Sequence, residues 1–349
     1  MTSTTDRNDV TAMTGPTGPT DPTDPTDPTD RTDRTDLTVL GETMASLTPD
    51  HIGPLRHARG LGLSVAGSES TVAIGAARLG HRAAWIGRIG DDELGRTVLN
   101  RLRGENLLVH AVTDPEAPTG LMLKERPAAG HSRVHYYRAG SAGSRLHPDD
   151  LPGPLLERTR VLHTTGITLA LSDSARTTAH EAMRRTRAAG GTVSFDLNHR
   201  ARLWSKETAR AALTAVLPLV DLLFASVDEA VMVTGRPDLT PAQTGQQLLS
   251  HGPGTVVLTD GAAGAVCVTA DRTIPVAAVP VQAVDPVGAG DAFVAGCLSG
   301  FLAGLTTEEA LARAAAVAAL CVASEGDWEG LPEPDRLPQA AHRPGTVLR

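Results

Sequence analysis

The sequence contains 349 residues, of which 41% are hydrophobic, and this is enough for the core of one large or two ordinary domains. Its formal net charge of −8 argues against nucleic acid or an anionic membrane surface as the main partner. It has no uninterrupted apolar run of roughly 18 residues, the length of a membrane span, and no signal-peptide pattern at its N-terminus. We therefore expect a cytoplasmic protein that binds neither nucleic acid nor membranes.

Residues 1–36 form a low-complexity segment. From Asp21 the sequence repeats Asp-Pro-Thr three times and then Asp-Arg-Thr twice. Such a composition cannot bury a core, so it predicts a disordered tail with polyproline-II character. We assign 37–332 to one folded domain and 333–349 to a C-terminal tail.

The first half of the folded region contains short strands and helices. Apolar residues at 72, 73, 76 and 79 share one helical face, and Gly80 fits the end of that helix. Two strand-like runs, 119–124 and 132–138, predict a hairpin with a loose turn at 127–130. The other predicted elements are strands at 38–42, 83–87 and 107–112, and a helix that is opened by 90–95 and continues to about 103.

After residue 155, strands and helices alternate regularly. The predicted strands are 161–166, 192–196, 222–225, 255–259 and 265–269. The predicted helices are 173–189, 206–216, 228–234, 241–249, 291–303 and 307–323. This alternation indicates a parallel sheet covered by helices on both faces. Ligands bind beyond the carboxyl ends of such strands, and the Gly-rich turns and polar clusters of this sequence fall there.

The most informative stretch is 284–300, where a strand-like approach leads into the string Asp-Pro-Val-Gly-Ala-Gly-Asp. Gly288, Ala289 and Gly290 are followed by Asp291 and an apolar run that predicts a helix. Gly-rich backbone at a helix N-terminus directs N–H groups toward one point and favours an anion such as phosphate. Asp291 cannot bind that anion, so we predict that it accepts a proton from an attacking hydroxyl. A bare Gly-x-Gly would more often be a tight turn, but the full string is more specific.

This string resembles the C-terminal signature of the ribokinase-like (PfkB type) carbohydrate kinases, and the resemblance covers about 39–332. Residues 66–73 stand where the family has Gly-Gly-Ala-Glu-x-Asn-Val-Ala, with Thr71 in place of the Asn. Residues 90–95 match the family's Gly-x-Asp-x-x-Gly. Segments similar to those of 2-keto-3-deoxygluconate kinases lie at 136–142, 163–168, 195–204 and 326–332. The resemblance implies an α/β fold, a ribokinase-like three-layer α/β/α domain with a mostly parallel central sheet and a small β-sheet lid from parts of 42–66 and 119–138.

By the same resemblance, the protein phosphorylates the primary hydroxyl of a sugar acid, with 2-keto-3-deoxygluconate as the first candidate. Asp291 is then the general base, and the amides of Gly288, Ala289 and Gly290 form the anion hole. The implied substrate-binding residues are Gly67, Thr71, Tyr136, Arg138, Ile167, Arg200 and Asp327. An arginine fork suits a carboxylate. Taken singly, each arginine could be a solvated surface residue, Tyr136 a strand packing residue and Asp327 a turn residue.

The resemblance also implies ATP and Mg²⁺. The implied ATP-binding residues are Asn198, Ser226, Thr259, Gly261 and Gly264. An ordinary hairpin turn would explain the two glycines of 259–264 equally well. Glu229 is the implied Mg²⁺ residue, acting through water, and could instead be an acid favoured in the first turn of a helix.

Two other functions remain open at this point. The protein could be a fructokinase or another hexose kinase of the family, because Thr71 replaces the usual Asn. It could also be a non-catalytic sugar or nucleotide sensor, although the intact Asp291 argues against this. Lids of the family often pair across a dimer, so a homo-oligomer joined through the lid is an implied assembly that the sequence leaves open.

Overall fold

The computed structural model describes residues 34–128 and 131–341. Its strands are β1 (Thr35–Leu40), β2 (Met44–Pro49), β3 (Leu61–Ala66), β4 (Ala83–Gly90), β5 (Leu108–Asp114), β6 (Leu121–Ala128), β7 (His131–Tyr137), β8 (Thr159–Thr165), β9 (Thr192–Asp196), β10 (Leu222–Ser226), β11 (Thr255–Thr259), β12 (Ala265–Thr269) and β13 (Thr273–Val276). Its helices are α1 (Ser68–Arg78), α2 (Glu93–Gly104), α3 (Gly153–Glu157), α4 (Gly166–Leu171), α5 (Asp173–Ala188), α6 (Lys206–Val216), α7 (Val227–Thr234), α8 (Pro241–Leu249), α9 (Ala289–Leu302) and α10 (Thr307–Val322).

The larger sheet is mostly parallel. Its strand order is β13-β12-β11-β10-β9-β8-β1-β4-β5, and only the β11–β12 and β12–β13 pairs are antiparallel. Successive residues of a strand face opposite sides, so Val39 joins one apolar cluster and Leu40 the other. The first cluster packs α1, α2, α9 and α10 against the sheet, and the second packs α4 to α8. These layers confirm the predicted three-layer α/β/α domain.

A second sheet of four strands, which we call the lid, has the order β3-β2-β6-β7. Strands β2 and β6 are parallel, and the other two pairs are antiparallel. Its strands come from the two regions expected, 42–66 and 119–138. The apolar cluster of the lid contains three buried side chains, Met44, Ala66 and Met122, too few for an independent core. The lid therefore depends on contacts with the rest of the domain.

The prediction of a strand that leads into the signature string is wrong. Residues 277–288 form no strand, and Val281 and Val284 are exposed there. Pro280 and Pro286 interrupt this stretch, and a proline supplies no N–H to a strand ladder. The chain therefore reaches the signature as an irregular loop after β13, a strand that the sequence analysis did not predict.

Some predictions fall at the limits of the described chain. Residues 1–33 of the predicted tail lie outside the described residues, as do 129–130 of the hairpin turn and 342–349 at the C-terminus. Strand β1 begins at Thr35, inside the predicted tail. A 3-10 helix covers Pro334–Ala341 within the predicted C-terminal tail. Across 34–128 and 131–341, no helix has the length and apolar character needed to cross a membrane.

Candidate active site

Helix α9 begins at the signature loop, and its first turn carries Asp291. Gly288 is the N-cap residue with φ of 82°, a left-handed conformation that favours glycine. A side chain at Gly288 would also collide with the backbone carbonyl of Asp327. The N–H of Ala292 makes the helix's first i to i−4 hydrogen bond, to Gly288 at 2.8 Å. The amides before Ala292 lie at the positive end of the helix dipole, where an anion is favoured.

The carboxylate of Asp291 is held by two side chains from other elements. Ser68, the first residue of α1, donates its hydroxyl hydrogen to Asp291 Oδ1 at 2.5 Å. Asn198, in the loop after β9, donates from Nδ2 to Ser68 Oγ at 2.8 Å and to Asp291 Oδ1 at 3.4 Å. Burial raises the pKa of Asp291, while Ser68, Arg200 and Asn198 oppose that rise. The result is an oriented carboxylate with strengthened basicity, as a general base requires.

Two cavities adjoin at Asp291. We call them the lid cavity, on the side of β2 and β6, and the sheet-edge cavity, beyond the ends of β9, β10 and β11. Both are lined by Tyr136, Arg200, Val287, Gly288 and Asp291. A group bound in one cavity can therefore react with a group bound in the other, with Asp291 between them.

The lid cavity collects all the residues predicted to bind substrate. They are Gly67, Thr71, Tyr136, Arg138, Ile167, Arg200 and Asp327. Thr71 is buried in α1, and Tyr136 is half-buried with its ring 5.7 Å from the Arg138 guanidinium carbon. Burial raises the pKa of Asp327, and the neighbouring Lys124 opposes the rise. The cavity thus combines cationic, acidic and hydroxyl groups suited to a polar ligand.

The two predicted arginines differ in their partners. Arg138 is buried and donates from Nε to Glu42 at 2.7 Å, and its Nη2 makes a second contact with the same carboxylate. Glu42 also accepts from Ser141. Arg200 is exposed at the junction of the cavities, and its guanidinium has no hydrogen bond or ion pair within 34–128 and 131–341. Arg200 therefore keeps its charge and its paired donors for a ligand, whereas the charge of Arg138 is balanced by Glu42.

The sheet-edge cavity collects part of the predicted nucleotide site. Asn198, Ser226, Thr259 and Glu229 line it together with the anion-hole residues Gly288, Ala289 and Gly290. Gly261 and Gly264 lie in the turn between β11 and β12, and neither is among its lining residues. The turn between β11 and β12 accounts for glycine at these two positions, which is the alternative that the sequence analysis left open.

Glu229 has a structural task in this site. Its carboxylate accepts from the backbone N–H of Ser226 at 2.8 Å, and Ser226 in turn caps α7, so the two residues form a capping box. The other oxygen accepts from the N–H of His199 at 2.7 Å and so fixes the loop that carries Asn198. The alternative of a first-turn helix acid therefore describes part of what Glu229 does.

The donor set beside Glu229 suits a divalent cation. Asp196, which also lines the sheet-edge cavity, has its pKa raised well above the usual range, first by burial and then by Glu229 and Asp291. A cation would relieve this repulsion. No cluster of three or more metal-ligating side chains occurs in the described part of the chain. Mg²⁺ commonly binds through one or two carboxylates, waters and phosphates, so these residues fit it.

The sequence analysis did not assign Ser68, Glu42, Asp196 or Lys124. Ser68 lies within the 66–73 string, where its place between Gly67 and a helix start was a usable signal. Asp196 stands two residues before Asn198 in the quoted Phe-Asp-x-Asn pattern. Glu42 and Lys124 had no comparable local signal, because their partners are distant in the sequence.

Comparisons with known proteins agree with this geometry. A family model described as "pfkB family carbohydrate kinase" matches residues 34–334. The 2-dehydro-3-deoxygluconokinase of Thermoproteus tenax is 40% identical over 304 residues, which cover 84% of this chain and 90% of that protein. The fructokinase of Klebsiella pneumoniae is 33% identical over 309 residues, covering 86% and 97%. Among solved structures, a PfkB protein from a Polaromonas species is 35% identical with a TM-score of 0.79, covering 87% of this chain and 99% of that one.

Proposed function

The chain belongs to the pfkB family of carbohydrate kinases, which phosphorylate sugar hydroxyls, and we propose that its acceptor is a sugar acid and its donor ATP. The first candidate is 2-keto-3-deoxygluconate, the compound also called 2-dehydro-3-deoxygluconate, phosphorylated at its primary hydroxyl. One observation carries the proposal: Arg200, whose guanidinium makes no hydrogen bond or ion pair within 34–128 and 131–341, shares a cavity wall with the hydrogen-bonded base Asp291. A carboxylate at Arg200 would anchor one end of the substrate while a hydroxyl reaches Asp291.

Asp291 is the proposed general base. Its Oδ atoms would accept the proton of the primary hydroxyl as that oxygen attacks the γ-phosphorus of ATP, and ADP would leave in line. Asn198 donates to Ser68 and Ser68 to Asp291, and these hydrogen bonds would orient the carboxylate toward the acceptor hydroxyl. Two side chains, one from α1 and one from the loop after β9, thus preorganise the base.

The amides of Gly288, Ala289 and Gly290 are the proposed anion hole. They would stabilise the charge that develops on the transferring phosphoryl group, because they already lie at the α9 N-terminus. When bound, Mg²⁺ would supply further neutralisation of phosphate charge, held by Glu229 and Asp196 through water. The lid would exclude water that could otherwise hydrolyse ATP.

Fructokinase activity is the second candidate. It is favoured by the similarity to the Klebsiella fructokinase. The Arg138–Glu42 pair also supports it. Because Glu42 neutralises the charge of Arg138, that arginine can donate hydrogen bonds to an uncharged sugar and does not require an anionic ligand.

ADP release from Mg-ATP against a panel of acceptors tests both candidates. The panel contains 2-keto-3-deoxygluconate, its 4-epimer 2-keto-3-deoxygalactonate, gluconate, glucose and fructose. Turnover with the keto-deoxy acids alone supports the first candidate, and turnover with fructose alone replaces it by the second. If acceptors bind but none of them causes ADP release, both kinase candidates are wrong and the sensor function is supported. An Arg200→Met variant serves as the matched control, because it should lose the acids selectively.

A further inference from the structure

A buried lysine connects the lid to the signature loop. Lys124 lies in β6, its side chain is 2% exposed, and its ammonium contacts two carboxylates. It donates to Asp285, the first residue of the signature string, and to Asp327 at 3.0 Å. These partners are 161 and 203 residues away in the sequence. We propose that Lys124 is a positioning residue that aligns the anion-hole loop and Asp327 with each other when the lid is seated.

The first partner controls the loop before the anion hole. Besides contacting Lys124, the Asp285 carboxylate accepts from the N–H of Val287 at 3.2 Å. The N–H of Asp285 donates to the carbonyl of Val322, the last residue of α10, at 3.2 Å. Asp285 is thus fixed between the lid and the helical layer. Its carboxylate sets the turn that delivers Gly288 to the start of α9.

The second partner faces the substrate. Asp327 lines the lid cavity, and its backbone carbonyl packs so closely on Gly288 that a side chain there would collide with it. A displacement of Asp327 would therefore also displace Gly288, the N-cap of α9. Lys124 holds both sides of this contact, because it pairs with Asp285 in the signature loop and with Asp327 in the opposite segment.

The segment that carries Asp327 is also attached to a second strand of the lid, β3. Trp328 donates from Nε1 to the carbonyl of Val65 in β3 at 2.9 Å. Ser64 of β3 donates to Glu329 at 2.7 Å. From the other side, Arg78 of α1 lies over the Trp328 ring at 5.2 Å. The lid therefore contacts the segment through two strands, and Lys124 is the contact that continues to the phosphoryl-transfer loop.

Charge explains why a cation is needed at this point. Asp285, Asp327 and Asp291 are neighbouring acids in a site that must admit a polyanionic nucleotide and, in the proposed function, a carboxylate. Burial opposes the charge of Lys124, but Asp327 and Asp285 outweigh burial and raise its pKa, so it stays protonated. Without it, two buried carboxylates would face each other and push the signature loop and the segment that carries Asp327 apart.

Substitution of Lys124 tests the proposal by kinetics. Lys124→Met keeps a long unbranched side chain and removes its positive charge. We expect kcat/KM for the acceptor to fall by about 10²-fold, the cost of a small misplacement in a reacting geometry. Lys124 lowers the pKa of Asp327, so in Lys124→Met the substrate-binding Asp327 should keep its proton to higher pH, and the acid limb of kcat/KM for the acceptor should move upward. Lys124→Arg should keep the limb, because it keeps the charge.

The chain offers a matched control, because Lys124 and Lys206 are its only lysines. Lys206 is exposed at the start of α6, and Lys206→Met should leave kinetics and pH profile unchanged. A lysine that served only to stabilise the fold would reduce the melting temperature without moving the acid limb. Wild-type kcat/KM together with an unmoved acid limb in Lys124→Met overturns the proposal.

Lysine acylation gives a second test that needs no turnover and no knowledge of the acceptor. With an N-hydroxysuccinimide ester and mass spectrometry, Lys206 should react at least 10-fold faster than Lys124 in the ligand-free enzyme. In Asp327→Asn, Lys124 should become several-fold more reactive while Lys206 does not change. Equal reactivity of the two lysines, or no response to Asp327→Asn, overturns the proposal. The inference rests on the proposed phosphoryl transfer only in its kinetic test, so a failed acceptor panel would leave the acylation result intact.

Discussion

Removal of the Ser68 hydroxyl should change the pH dependence of catalysis in a defined direction. Ser68 Oγ donates to Asp291 Oδ1 at 2.5 Å and so stabilises the charged form of the proposed base. Burial already raises the pKa of Asp291, and this hydrogen bond limits the rise. In Ser68→Ala the pKa should therefore rise further. Because the base must be unprotonated, the acid limb of kcat should move to higher pH.

The usual strength of a hydrogen bond to a charged group sets the expected size of this shift. A hydrogen bond to a charged group contributes roughly 1.5–3 kcal/mol, and one pKa unit corresponds to about 1.36 kcal/mol. The limb should move by about 1 to 2 pH units. Asn198 Nδ2, which is 3.4 Å from Asp291 Oδ1, can take over part of the interaction once Ser68 is gone. We therefore expect the lower end of that range.

The measurement is kcat from pH 5 to 9 with saturating Mg-ATP and acceptor. Below the limb, Ser68→Ala should lose about 10-fold or more, and above the limb it should approach wild type. Ser70→Ala is the control, since the Ser70 hydroxyl donates to the carbonyl of Gly67 at 3.0 Å and does not contact Asp291. An acid limb that stays in place, or a loss of equal size at every pH, would refute the assignment of Asp291 as a base tuned by Ser68.

Four further predictions concern separate parts of the molecule. Asp291→Asn keeps size but removes the base, so kcat should fall roughly 10²- to 10⁴-fold, and near-normal turnover would contradict its role. Arg200→Met should raise KM for 2-keto-3-deoxygluconate about 10- to 100-fold without changing KM for fructose, as judged by initial rates. Activity should disappear on chelation by EDTA, and Glu229→Gln should raise the Mg²⁺ concentration for half-maximal rate; an unchanged Mg²⁺ titration would exclude Glu229. Deletion of 1–33 should leave kcat unchanged, whereas deletion through Leu40 removes β1 from between β4 and β8 and should abolish soluble expression.

Local signals in the sequence predicted much of the fold. The strands at 192–196, 255–259 and 265–269 were predicted with the bounds that the structure shows, because their apolar runs are bounded by polar or turn residues. The segment before the signature was predicted wrongly, since its valines suggested a strand while its prolines prevent one. A strand depends on partners for its hydrogen bonds, and a short apolar run does not show whether a partner exists.

The sequence by itself determined the chemistry at the start of α9. Gly288, Ala289, Gly290 and Asp291 are consecutive, so the conformational freedom of glycine, the helix dipole and the carboxylate act at one place whatever surrounds them. Only the tertiary structure decided how the other charges are used. It paired Arg138 with Glu42 across 96 residues, left Arg200 available, and brought Lys124 to Asp285 and Asp327. Ion pairs of this kind depend on which strands become neighbours, and that is fixed by the packing of the whole sheet and lid.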